Sequence, residues 1–323
     1  MDISVIIPVH NEQGNIEILF AELKDVLDKT GRGYEVIFVD DGSTDNSLAE
    51  LKSIAGKNPQ ARVVSFMRNF GQTAALSCGF KIAQGEIVIP MDSDLQNDPA
   101  DIPALLKEMA DKNNDIISGW RKDRKDPFLS RKLPSHAANW LISLITGVHL
   151  HDYGCTLKAY RKDVIKHIAL YGEMHRFLPA VANWRGAKIS EVAVNHRPRK
   201  FGKSKYGIIR TFKVLLDLVT VKFLGSYFTK PIYFFGGIGI MSYFGGVFSC
   251  TYLIWDKLVH GKPMIQSPLL LLTAMLMILG TQFILMGLLA EISVRIYHES
   301  RSQEVYAIKE TVNVNPTDGN QIS

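Results

Sequence analysis

Cysteine is scarce in this chain. There are three in 323 residues, Cys78, Cys155 and Cys250, with no close pair and no CxxC. This argues against a disulfide-stapled scaffold and for free thiols in a reducing compartment. The nine histidines never fall in an HExxH or other tight ligand spacing, which argues against a zinc site. The start, Met1-Asp2-Ile3-Ser4-Val5, lacks a basic n-region and a long apolar h-region. No secretory signal is expected, and the N-terminal part is expected to face the cytoplasm. Net charge is a mild +5. The basic stretches lack interleaved aromatic platforms, so nucleic acid is not expected as a partner. No internal repeat is visible.

Charge is also missing from two long stretches near the C-terminus, Pro231 to Trp255 and Pro263 to Ala290. Roughly 20 apolar residues span a bilayer core, so both qualify as transmembrane helices, at about 232–255 and 268–290. The alternative is a pair of buried core helices, which rarely run so long uncharged. The flank before the first stretch is far more basic than the short loop Asp256 to Lys262. By the positive-inside bias the flank is cytoplasmic, and two spans bring the C-terminus back to the same side. A multi-pass protein of the cell (inner/plasma) membrane with both termini in the cytoplasm is therefore expected.

What precedes the spans alternates strand and helix signals. Ser4–Val9, Glu35–Asp40, Arg62–Phe66, the run ending at Asp92, and Asp115–Ser118 read as strands. Ile16 to Leu27, Thr44–Ala55, Thr73–Ala83 and Pro99–Lys112 read as helices. Such alternation predicts an α/β domain with a mainly parallel sheet, whose ligands bind outside the carboxyl ends of the strands. The expected layout is a domain at 1–205, a juxtamembrane interfacial helix within 206–230, two spans within 231–291 and a cytoplasmic tail at 292–323. Val312 to Ser323, polar with Pro, Gly and Asn, reads as disordered.

Three polar clusters stand at strand ends: Pro8-Val9-His10-Asn11-Glu12, Asp40-Asp41-Gly42-Ser43-Thr44-Asp45 and Asp92-Ser93-Asp94-Leu95-Gln96. Asn11, Ser43 and Asp98 could serve simply as helix N-caps. Capping accounts for one polar residue per junction, not for acids at successive strand ends. In an extended chain Asp92 and Asp94 share a face, and two convergent carboxylates can hold a hard divalent cation that keeps positions for phosphate oxygens. Acids facing one another across a cleft need a cation or a donor-rich ligand to offset their repulsion.

The segments VIIPVHNE, VIFVDDGSTD and GEIVIPMDSDLQNDP, in this order and spacing, resemble family 2 glycosyltransferases with the GT-A fold. With two spans added, the chain resembles bacterial polyisoprenyl-phosphate glycosyltransferases, a group that includes bactoprenol glucosyltransferases and is related to dolichol-phosphate mannose synthases. The resemblance implies a GT-A domain, a mixed and mainly parallel sheet, followed by amphipathic juxtamembrane helices and two transmembrane helices. It implies a nucleotide pocket lined by Pro8, Asn11, Glu12, Asp40, Asp41 and Asp92. It implies Mg²⁺ or Mn²⁺ held by Asp92 and Asp94, with Gln96 adding an oxygen and Asp94 counted as catalytic. Asp152 lies where relatives with sugar-hydroxyl acceptors carry their base; here it either acts so or only positions groups. Arg68 to Gln72 also resembles a family segment, with helix capping as the alternative. The donor implied is a UDP-sugar, with UDP-glucose favoured, and the acceptor a polyisoprenyl phosphate such as undecaprenyl phosphate, with inversion at the anomeric carbon.

The acceptor needs cations. Arg121, Lys122, Arg124, Lys125, Arg131 and Lys132 form one basic run. Arg197, Arg199, Lys200, Lys203, Lys205, Arg210 and Lys213 form a second, with no acid between Val192 and Leu216. Such runs ordinarily are solvated faces or headgroup attraction. Arg121, Arg131, Arg199, Lys203 and Lys205 are the expected phosphate contacts, because they fall in segments resembling the family's. His151 reads as structural. Tyr206–Phe223 has one apolar face at helical pitch and is expected to lie on the membrane; Leu133 to Val148 is a weaker candidate. Gly236, Gly237, Gly239, Ser242, Gly245 and Gly246 thin the first span, which predicts either self-association as a homo-oligomer or packing of one span on the other. The rival readings are a processive polysaccharide synthase, whose Q-x-x-R-W signature is absent, and a catalytically inactive membrane scaffold.

Overall fold

A computed structural model describes residues 1–122, 139, 142–144, 146–166, 176–198, 231–299 and 306–314. The expected contacts Arg131, Arg199, Lys203 and Lys205, and the Tyr206–Phe223 helix, lie outside them. The chain forms two compact units, residues 1–221 with 304–323, and 222–303.

The first unit is a sheet with helices on both faces. The strands are β1 (Ile3–Val9), β2 (Tyr34–Asp40), β3 (Ala61–Phe66), β4 (Ile87–Pro90), β5 (Ile116–Trp120), β6 (Lys158–Arg161), β7 (Ile189–Ala193) and β8 (Ile308–Val312). The helices are α1 (Ile16–Lys29), α2 (Ser47–Lys57), α3 (Gln72–Ile82), α4 (Ile102–Lys112), α5 (Lys162–Ile165) and α6 (Leu178–Asn183). The sheet order is β7-β5-β6-β4-β1-β2-β3-β8. β4, β1, β2 and β3 are mutually parallel, whereas β6 and β8 run antiparallel to their neighbours. Every residue of β1 is buried, as near-continuous apolar strands covered on both faces must be. The pleat divides them: Ile3, Val5, Ile7 and Val9 join the core under α1, α2 and α4, while Ile6 joins the core under α3 and α6.

The amino ends of the strands carry a buried polar clasp. Glu35 accepts from Ser4 Oγ (2.6 Å), Arg62 Nη1 (2.6 Å) and the Gln84 N–H (2.6 Å), and Ser4 Oγ in turn accepts from the Gly85 N–H (2.8 Å). It sits at the opposite end of the sheet from the acidic strand ends and holds β1, β2 and β3 in register.

Three features depart from expectation. β4 stops at Pro90, and Leu95 takes a positive φ of 60°. The Asp92–Gln96 segment therefore turns instead of extending, and Asp94 Oδ1 accepts from the Gln96 N–H (3.2 Å). The two aspartates meet through a turn, with Leu95 held in its strained conformation by burial (1% exposed). The second departure is β8, which lies in the expected tail and reaches into the stretch read as disordered. It pairs with β3, Val63 opposite Val312 and Phe66 opposite Ile308. Ile-Lys-Glu-Thr-Val is short and charged, the composition that suits an edge strand and hides it from a periodicity test. Third, Asn11 and Ser43 brace each other instead of capping helices; Asp98 does cap, accepting from the Ala100 N–H (3.0 Å).

The second unit is a pair of helices, α7 (Pro231–His260) and α8 (Pro268–Glu299). Both are long and apolar enough to cross a membrane. Large apolar side chains such as Phe248, Leu271, Ile278 and Leu289 face outward. A Cβ on Gly239 would come within 2.8 Å of the Gly280 carbonyl, so two glycines set this close crossing. Ser249 Oγ meets Thr273 Oγ1 at 2.6 Å, and Tyr243 OH meets Thr281 Oγ1 at 2.6 Å. Gly239 and Gly246 thus serve contact between the two helices, the second of the two expected uses, whereas a Cβ on Gly236 would meet only Ile232 of its own helix.

Candidate active site

The parallel strands β1, β2 and β4 end together, and their following loops interlock. Register places Val9 opposite Asp40 and Asp40 opposite Ser65. Asn11, at φ 57°, gives its N–H to Ser43 Oγ (3.0 Å), and its Oδ1 accepts from the Thr44 N–H (2.8 Å). The Glu12 N–H donates to Ser47 Oγ (3.0 Å), and Glu12 Oε2 accepts from Asn15 Nδ2 (2.7 Å). These bonds weld the β1 loop to the β2 loop. The Pro8 carbonyl accepts from Ser93 Oγ (3.0 Å), which adds the β4 loop.

Asp40 and Asp41 are buried and do different things. Asp40 accepts from the Ser43 N–H (3.1 Å) and Ser65 Oγ (2.8 Å). Asp41 points the other way and accepts from the N–H groups of Phe70 (2.6 Å) and Gly71 (2.9 Å). Burial pushes the Asp41 carboxyl above its ordinary range, against those two bonds and the attraction of His10. His10 Nδ1–H donates to the Asp41 carbonyl (2.9 Å). Gly42, at φ 64°, lies so close to the backbone of Arg68 that any Cβ would collide with it. The Arg68–Gln72 segment is thereby explained: Asp41 fixes its backbone, Gly71 at φ 96° opens α3, and Gln72 Nε2 donates to Asp92 Oδ1 (2.8 Å).

Asp92 is partly buried, and its other oxygen accepts from Thr156 Oγ1. Burial raises its pKa, and the neighbouring Asp94 raises it further. Asp94 is 8% exposed. Two hard oxygen donors close enough to repel each other fit a divalent cation. Gln96 is partly buried beside them, its carbonyl accepting from the Arg197 N–H (2.9 Å).

Arg121, whose charge acts on Asp92, forms a bidentate pair with Asp152, Nε to Oδ2 at 2.6 Å and Nη2 to Oδ1 at 2.9 Å. Asp152 Oδ1 also accepts from the Gly154 N–H (3.1 Å). Behind them Lys158 is buried, donating to the carbonyls of Cys155 and Tyr153, and burial lowers its pKa. Glu191 holds the loop by accepting from the His151 backbone N–H (2.9 Å) and His151 Nδ1–H (2.7 Å), while the His151 ring stacks on Trp120 at 4.4 Å. Arg197, from the second basic run, is tied to Glu22 (2.6 Å) and Asp98 (2.7 Å).

Beside Asp40 opens a cavity of about 370 Å³, lined among others by Ser43, Ser65, Arg68, Asn69 and Lys309. Sequence inspection missed Thr156, Lys158 and Lys309. Lys158 and Lys309 lie on strands too short, and too charged, for a pattern to register.

Helices on both faces of a mainly parallel sheet, with acidic loops at the strand ends, define a GT-A fold. Solved structures agree. Glucosyl-3-phosphoglycerate synthase of Mycobacterium tuberculosis, determined with Mn²⁺ and UDP-glucose, superposes with a TM-score of 0.54 at 19% identity, over 68% of this chain and 78% of that one. The chain belongs to glycosyl transferase family 2, whose sequence model matches residues 4–169. It is a glycosyltransferase. It is 41% identical to the dodecaprenyl-phosphate galacturonate synthase of Rhizobium johnstonii, over 96% of this chain and 93% of that protein. It is 38% identical to the undecaprenyl-phosphate 4-deoxy-4-formamido-L-arabinose transferase of Edwardsiella ictaluri, over 99% and 97%.

Proposed function

We propose that this protein is a membrane glycosyltransferase that moves a sugar from a UDP-sugar to a polyisoprenyl phosphate, inverting the anomeric carbon. The observation that carries the reading is the linked set of strand-end carboxylates, Asp40 and Asp41 on β2 with Asp92 and Asp94 after β4. Whole-length similarity to two polyisoprenyl-phosphate enzymes supports the acceptor. The apolar pair α7 and α8 supplies the means of reaching a lipid.

Asp40 and the β1 and β2 loops take the nucleoside, with Pro8, Asn11 and Glu12 shaping that wall. Asp92 and Asp94, with Gln96, hold Mg²⁺ or Mn²⁺. The bound cation supplies neutralisation of the charge that gathers on the departing diphosphate. Gln72 and Thr156 fix the Asp92 carboxylate so that it faces the cleft rigidly. Arg121 presents positive charge to the acceptor phosphate, and Asp152 orients it. A carboxylate already accepting from Arg121 and Gly154 is poorly placed to take a proton. None is needed: a phosphate monoester has a second pKa near 6 and is anionic at neutral pH. Arg131, Arg199, Lys203 and Lys205 complete the phosphate site. Self-association through the open side of α7, where a Cβ on Gly237 would meet nothing within 4 Å among the described residues beyond its own helix backbone, is part of the same proposal.

Glucose was the sugar expected from sequence, but neither relative is named for it, and galacturonate leads the candidates. The test is transfer of radiolabelled UDP-galacturonate, UDP-glucose and a UDP-aminoarabinose to undecaprenyl phosphate in membranes containing the protein. One donor should be used far better than the rest, and EDTA should stop transfer until Mn²⁺ is restored. Asp92→Asn and Asp94→Asn should each lower the rate at least about a thousandfold, since each removes charge from the leaving-group site. Chelator-resistant transfer would sink the metal assignment.

A further inference from the structure

One wall of the cavity beside Asp40 is built by a residue from the far end of the chain. Lys309 lies on β8, beyond the second apolar helix, and lines the cavity with Asp40, Ser65 and Arg68. Because β8 runs antiparallel to β3, it enters the sheet at the carboxyl end of β3, where the Met67 N–H donates to the Ala307 carbonyl (2.9 Å). The strand is well anchored. Tyr306 stacks on Phe66 at 4.9 Å, and Asn313 Nδ2 donates to the carbonyls of Ala55 (2.8 Å) and Ala61 (2.9 Å). Glu310 pairs with Lys52 (2.6 Å). Lys309 is exposed, and among the described residues its side chain makes no hydrogen bond or ion pair, its charge being felt only by the neighbouring Glu310.

The polarity of the cavity follows. Its carboxylate, Asp40, is engaged by Ser43 and Ser65. Arg68 stacks over Phe70 at 4.2 Å, keeping its charge at the cavity. Two cationic donors therefore face the space, and a ligand seated there must bring acceptor oxygens. Sheet order decides which oxygens. Asp92 and Asp94 follow β4, which is three strands away from β3, roughly 14 Å at the usual strand spacing. A nucleoside diphosphate whose diphosphate reaches Asp92 turns its base toward β3 and β8. We propose that Lys309, beside Arg68, is a specificity residue that reads the carbonyl edge of the donor's base. Uracil presents a carbonyl at position 4; cytosine presents an amino donor there and meets two cations with the wrong polarity. The inference rests on the donor reading above.

The test is calorimetric titration of the full-length protein in detergent with UDP and CDP, each with Mn²⁺. The wild type should prefer UDP. Lys309→Met should weaken UDP about tenfold and leave CDP nearly unchanged, so the preference collapses. Lys309→Arg should restore it. Equal loss for both nucleotides would mean a phosphate contact and overturn the base assignment, as would no loss at all. A wild type that binds neither nucleotide overturns the donor reading itself, and this inference with it.

Discussion

Aspartates that look alike in sequence hold different things. Asp41 builds the loop before α3, Asp40 faces the cavity, Asp92 is fixed by Gln72 and Thr156, and Asp152 grips Arg121. Sequence located all four but could not distribute the roles, because each role depends on which N–H or hydroxyl arrives from a distant segment. Glu35 drew no notice in the sequence, yet it is buried against Arg62 with both side chains nearly inaccessible. Removing one partner strands the other charge, so Glu35→Ala should cost about 3–5 kcal/mol in denaturant unfolding, with Arg62→Met on the same background recovering part of it. Cys155 is the opposite case, a neutral buried group. Burial pushes its thiol up to about 11, against the attraction of Arg121 and Lys158. Maleimide should leave it untouched in the native protein at pH 8 and modify it on unfolding. Ionisation favours the unfolded chain, so this thiol's contribution to stability should fall as pH rises from about 9 toward 11.

Among the elements, β1, β2, β3 and α1 were legible almost to the residue, since unbroken apolar runs and clean helical spacing fix them locally. The turn after β4 was not, because Leu95 is not a residue type that announces a positive φ. β8 was not either, since only its pairing with β3 makes it a strand. The α7–α8 pair offers a direct test of element packing. With Cys250 replaced by Ala, Ser249→Cys and Thr273→Cys should oxidise to an intrachain disulfide, their hydroxyls now lying 2.6 Å apart. Adding Gly239→Leu should abolish that crosslink on non-reducing gels after protease cleavage of the 261–267 connection, because the Gly280 carbonyl leaves no room for a side chain.

For the whole molecule, connectivity constrains topology. β8 follows α8 yet belongs to the sheet that also holds β1. If α7 and α8 each cross the membrane, the residues before the first and after the second must share a side, and the segment from Lys257 to Lys262 must lie on the other. A cysteine placed at Val259 should react with an impermeant maleimide added outside intact cells, whereas one placed at exposed Lys57 on α2 should react only after permeabilisation. Labelling of position 259 from the cytoplasmic side alone would refute the membrane reading of the helices.

The late arrival of β8 also sets an order of events during synthesis. When β3 leaves the ribosome, its outer edge, with Val63, Val64 and Phe66, has nothing to pair with. The strand that closes it is made only after both apolar helices. Until both have been synthesised, the nascent domain carries an open sheet edge of the kind that seeds aggregation. If the two helices enter a membrane, faulty insertion of either would then be felt as an unclosed sheet.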